Sequence, residues 1–151
     1  MTFEYIEQKT AYTCGAAVMA MTLRKFGIRK SEKQLVRLLK TNKVRGTWHK
    51  DMVRVVERYN LSYIVTRDGT INDLRYFMRS KHTVIVCYYL AKEKFDHYSI
   101  VKKMTKRKIY LYDSWFGPKH SYTISYFNKI WRGDPLFKTE GDKWSMAIIR
   151  R

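Results

Sequence analysis

Apolar side chains recur at helical spacing in the first part of the chain and at strand spacing in the rest. From Cys14 to Phe26 the positions Ala16, Ala17, Val18, Ala20, Met21, Leu23 and Phe26 cover most of a helical wheel. That pattern predicts a helix buried on more than one side, closed by Gly27 just past its end. Ser31 with Gln34 three residues later forms a capping box that opens a second helix through Leu35, Leu38 and Leu39. Thr47 is expected to cap a third, carrying Met52, Val53, Val56 and Tyr59. Met19, Met21 and Met52 fall at helical spacing and are read as core. Residues 61–66 read as a strand, and Thr70 with Asp73 opens a short helix through Leu74, Phe77 and Met78. Further strands are expected at 83–90, 97–104, 108–112, 121–124 and 144–149, with a helical turn around 126–131. Helices first and strands second argue for an α+β fold with a mainly antiparallel sheet, not alternating βαβ units.

Composition narrows the class. The chain has 151 residues with neither linker nor internal repeat, so residues 1–151 are read as one domain. The longest uncharged stretches, 11–23 and 83–91, fall short of the ~18–20 residues of a membrane span, and none is expected. The N-terminus MTFEYIEQKT carries acids where a secretory signal would be basic and then apolar, which gives a cytoplasmic address as the expectation. Cys14 and Cys87 are accordingly taken as free thiols. The net charge of +18 is spread along the chain and would attract an acidic or nucleic-acid partner without specifying one. No zinc spacing or phosphate-cradling loop is present, so neither metal nor cofactor is expected.

Candidate chemistry starts at Cys14, where an extended segment meets the most buried helix. A helix N-terminus favours the thiolate, the reactive form, and Gly15 leaves room beside the sulfur for a substrate backbone. Position alone leaves two readings for Cys14, a nucleophile or a small buried hydrophobe. Cys87 lies inside an expected buried strand and is read as core. A nucleophilic thiol needs a base and an acceptor that orients it. His97 opens one strand and Asp113 ends the next. A hairpin centred near 106 and 107 sets His97 opposite about residue 116 and Asp113 opposite about residue 100, both at its open end. Asp113 would fix the imidazole tautomer while the other ring nitrogen faces Cys14. Trp115 and Phe116 would shield that bond, with Gly117-Pro118 turning the chain. The alternatives are a strand-end histidine and an ordinary turn acid. Gln8, six residues before Cys14, could donate with the Cys14 N–H to an oxyanion. His49, His82 and His120 show no partner and are assigned to the surface.

The run Gln8-Lys-Thr-Ala-Tyr-Thr-Cys14-Gly-Ala-Ala resembles the Gln-x5-Cys-Gly-x-Ala helix start of the bacteriocin-processing, double-glycine leader peptidases, cysteine peptidase family 39. Asp96-His97-Tyr-Ser-Ile-Val101 and Tyr112-Asp113-Ser-Trp resemble that family's His and Asp segments, in the same order. The resemblance implies a papain-like fold and a cysteine peptidase acting on a peptide or protein. In it Cys14 would be the nucleophile, His97 the base and then acid, Asp113 the orienter and Gln8 the oxyanion donor. Gly15 and Trp115 are expected beside the substrate. Neither a transporter membrane region nor an ATPase is present, which implies a stand-alone form. Two other functions fit the same pattern: an inactive papain-like module that binds an acidic or nucleic-acid partner, and an acyltransferase using the same nucleophile.

Overall fold

The computed structural model describes residues 3–149, apart from the side chains of 138–140. The elements follow the order α1 (Cys14–Lys25), α2 (Glu32–Leu38), α3 (His49–Arg58), β1 (Tyr63–Thr66), α4 (Ile71–Arg79), β2 (Thr83–Leu90), β3 (Phe95–Met104), β4 (Lys108–Asp113), β5 (Gly117–Thr123), α5 (Ile124–Ile130) and β6 (Ser145–Ile148). The strands form one antiparallel sheet in the order β1-β6-β2-β3-β4-β5. Every residue of α1 from Cys14 to Leu23 is buried, as the all-round apolar wheel requires, and Gly27 follows with a positive φ of 80°. Both expected capping boxes are present, Ser31 with Gln34 and Thr70 with Asp73.

Helices α1, α2 and α3 cover one face of the sheet, and α4 and α5 cover the other. Two-sided cover explains why β2 is a continuous apolar run, with Ile85 and Cys87 on the α1 side and Val84, Val86 and Tyr88 on the α4 side. It also buries Cys87 as core, while Met19, Met21 and Met52 lie fully buried with the first three helices.

Three local expectations are corrected. The N-cap of α3 is Trp48, not Thr47, because the Thr47 hydroxyl is engaged with the Thr41 hydroxyl at 2.7 Å. The turn after β4 lies at residues 114–116, and β5 already begins at Gly117, pairing with Asp113. Pro118 fits there because β5 is the edge of the sheet, where a missing N–H costs no ladder bond. A 3-10 segment at Pro135–Glu140 has no counterpart in the apolar periodicity.

Candidate active site

Residues before α1 are fastened to the turn after β4. Gln8 N–H donates to the Ser114 carbonyl at 2.9 Å, Ser114 Oγ donates to Gln8 Oε1 at 2.8 Å, and the Tyr5 hydroxyl donates to the Asp113 carbonyl at 2.6 Å. This lacing, with α1 packed on β3, sets Cys14 at the first residue of α1 beside the open end of the β3–β4 hairpin. The Thr13 hydroxyl bonds to Thr10 instead of capping the helix, so the first-turn N–H groups of α1 have no side-chain acceptor.

The meeting of His97 and Asp113 depends on a bulge. Near its tip the hairpin pairs Met104 with Ile109 and Lys103 with Tyr110, but beyond the irregularity at Lys102 it pairs Val101 with Leu111 and Ile100 with Tyr112. That slip corrects the uniform register, which set Asp113 opposite residue 100 and so on the wrong face from His97. Asp113 instead comes beside Ser99, whose Oγ donates to Asp113 Oδ2 at 3.0 Å, and His97 shares that face because it pairs with Tyr88. His97 Nε2 donates to Asp113 Oδ1 at 2.9 Å, with both side chains fully buried. The same Oδ1 accepts the N–H groups of Trp115 and Phe116, each at 2.8 Å, and Oδ2 also accepts the Tyr88 hydroxyl. Phe116 lies edge-on to the His97 ring, 6.2 Å between centroids.

The electrostatics follow from this arrangement. Burial acts to raise the Asp113 pKa, but the His97 imidazolium and the hydrogen bonds from His97, Tyr88 and Phe116 hold it well below the usual carboxylate range. Burial likewise acts to lower the His97 pKa, but the charge of Cys14 and hydrogen bonding with Asp113 and Cys14 raise it to about 10. With Nε2 engaged by Asp113, Nδ1 is the nitrogen left for Cys14. It is buried, and no group within ordinary hydrogen-bond geometry engages it. Cys14, 5% exposed, opens into a cleft of about 270 Å³ walled by residues 11–12, 43–47 and 94–96 together with Tyr98, Asp134, Leu136 and Phe137.

The model of the Peptidase C39 family matches residues 2–143. The chain belongs to that family. This C39 chain is a cysteine-type peptidase by membership, and its fold is that of solved family structures. The peptidase domain of Streptococcus ComA, a bi-functional ABC transporter of a quorum sensing pathway, superposes with a TM-score of 0.78 at 19% identity, over 99% of this chain and 100% of that one. A C39-like peptidase from Bacillus anthracis gives 0.78 at 12% identity, over 98% and 94%. A double glycine motif protease from an AMS/PCAT transporter, solved with its leader peptide, gives 0.69 at 17% identity, over 98% and 90%. Comparison with curated protein sequences finds no match.

Of the residues singled out in the sequence, the C39 chain brings Cys14, His97 and Asp113 together, with Gln8 laced to the neighbouring turn. Gln8 Nε2 donates one hydrogen bond, to the Thr10 carbonyl at 2.7 Å, and has a second N–H to give. Gly15 turns out to have a different reason to be glycine: a Cβ there would stand 2.7 Å from Thr47 Oγ1, so Thr47 and not a substrate fills the space. Trp115 is 42% exposed on the turn and does not border the Cys14 cleft. His49, assigned to the surface, is buried and stacked on Trp144 at 4.2 Å. Tyr98 O–H donates to the Thr47 carbonyl, so its oxygen accepts from His49 Nδ1 at 2.5 Å. His120 is half-buried, stacked on Phe116 at 4.7 Å, and burial lowers its pKa. Sequence reasoning missed Tyr88 and Ser99, since no spacing rule marks a hydroxyl on a neighbouring strand; the alternation of β3 was the one available signal, as it puts Ser99 on the face of His97.

Proposed function

We propose that the chain, read as one peptidase domain, cleaves a leader or precursor peptide through Cys14, His97 and Asp113. The observation that carries this reading is the buried Asp113–His97 pair with Cys14 raising the imidazole pKa. The Cys14 thiolate attacks the scissile carbonyl, and the Cys14 N–H with the second Gln8 Nε2 hydrogen receives the oxyanion. His97 Nδ1–H protonates the leaving amine, and water, deprotonated by the same nitrogen, resolves the acyl-enzyme. Asp113, held by Tyr88 and Ser99, keeps the ring turned so that Nδ1 serves the sulfur. A leader peptide as substrate is supported by the complex of the double glycine motif protease, whose fold this chain shares.

The test is incubation of the protein with a synthetic leader–cargo peptide carrying Gly-Gly at the junction, read by mass spectrometry. The wild type is expected to cut after Gly-Gly. Cys14→Ala is expected to lose at least about 10³-fold in rate while keeping the wild-type thermal transition, and His97→Ala to lose as much in rate with a lowered transition, because it leaves the buried Asp113 carboxylate without its partner. Full activity in Cys14→Ala would end the reading.

A further inference from the structure

The walls of the cleft beside Cys14 meet at one side chain. Arg45 sits in the 42–47 loop, which Asn42 folds back by accepting the Val44 and Arg45 N–H groups and which closes at Gly46, where φ is 80°. Its guanidinium grips Asp96 with two parallel bonds, Nη1 to Oδ1 at 2.8 Å and Nη2 to Oδ2 at 3.1 Å, and the two side chains are 3% and 4% exposed. The same group lies 4.8 Å from the ring centroids of both Trp48 and Phe137. Asp96 also accepts the Asp134 N–H at 3.3 Å, and Asp96 immediately precedes His97. Arg45 therefore joins the 42–47 loop, the start of β3 and the 134–137 segment, which face the Ala11–Tyr12 side of the cleft into which Cys14 opens.

A buried ion pair adds little net stability, because desolvating both charges offsets their attraction, but a planar two-bond grip fixes distance and orientation. We propose that Arg45 is a positioning residue that sets the width of this cleft, so that the size of the group reaching Cys14 is decided by the Arg45–Asp96 grip and not by the His97–Asp113 pair. Lysine cannot stand in, since an ammonium offers neither the fork that matches a carboxylate nor a plane to lie against the rings. The proposal rests on the peptidase reading only in taking Cys14 as a reactive thiol.

Two alkylating probes test it without any peptide turnover. The rate of Cys14 modification by iodoacetamide, a small reagent, is compared with that by fluorescein-5-maleimide, a bulky one, with Cys87 in the same sample as the buried control. Arg45→Lys and Asp96→Asn are expected to raise the bulky-to-small rate ratio by about tenfold or more, with the iodoacetamide rate within about twofold of wild type. A ratio unchanged in a variant that keeps a cooperative thermal transition overturns the proposal and leaves the peptidase reading standing. Both rates falling together in such a variant overturns it equally. If Arg45→Lys fails to fold, the charge-free double variant Arg45→Met/Asp96→Leu carries the comparison. A wild-type Cys14 as inert to iodoacetamide as Cys87 overturns both.

Discussion

At the scale of single residues, histidine shows how far environment outweighs identity. His97 is surrounded by groups that favour its charged form, whereas burial first, and then the charges of Arg45 and Arg67, lower the His49 pKa to about 3. His49 thus stays neutral in the folded chain while its unfolded counterpart takes up a proton below its ordinary value of 6.5. Between those two values the unfolded state binds more protons, so stability rises with pH, by up to about 1.4 kcal/mol per unit from this group. Thermal melts from pH 7 down to pH 4 are expected to show a falling transition that is markedly flatter in His49→Gln. Equal slopes in the two proteins would refute this account. Sequence alone could not separate these histidines, because burial and partners, not neighbours in the chain, decide which form is favoured.

At the scale of elements, most of the helices and strands were legible because their signals are local. Capping boxes, apolar wheels and alternation involve residues within one turn or one strand, and α1, α2, α4 and β2 appear within a residue or two of expectation. The register of β3 on β4 was not legible, since a bulge is chosen by what the two faces must bury. The start of α1 is a similar case, where Gly15 is required by Thr47 across a tertiary contact. Gly15→Ala is expected to destabilise by about 1–3 kcal/mol through overpacking and to slow Cys14 alkylation by displacing the helix start. The double variant Gly15→Ala/Thr47→Gly is expected to lose clearly less than the sum of the two single variants, since it removes the two Thr47 atoms that the new methyl would meet at 2.7 and 2.9 Å. Additive losses in the double variant would show that the contact is not the cause.

At the scale of the whole molecule, charge and topology dominate. A net charge of +18 repels itself in the folded state, and salt weakens that repulsion across the surface. The melting temperature is therefore expected to rise between about 20 mM and about 0.5 M NaCl. A fall over that range would mean that attractive pairs such as Arg24–Glu4, 2.6 Å apart, outweigh the general repulsion. Among the described residues no helix is long and apolar enough to cross a membrane, as the uncharged stretches implied. By itself the sequence determined the α+β class, the two capping boxes, the buried first helix and the Gln-Cys-His-Asp order, because each rests on short-range pattern or on motif. Only the tertiary structure decided that Asp113 shares a face with His97, that Tyr88 and Ser99 hold it, and that Arg45 grips Asp96 at the wall of the cleft. The physical reason is that these contacts join residues 14 to 51 positions apart, and a hydrogen bond or an ion pair is specified by geometry in space, which spacing along a chain does not encode.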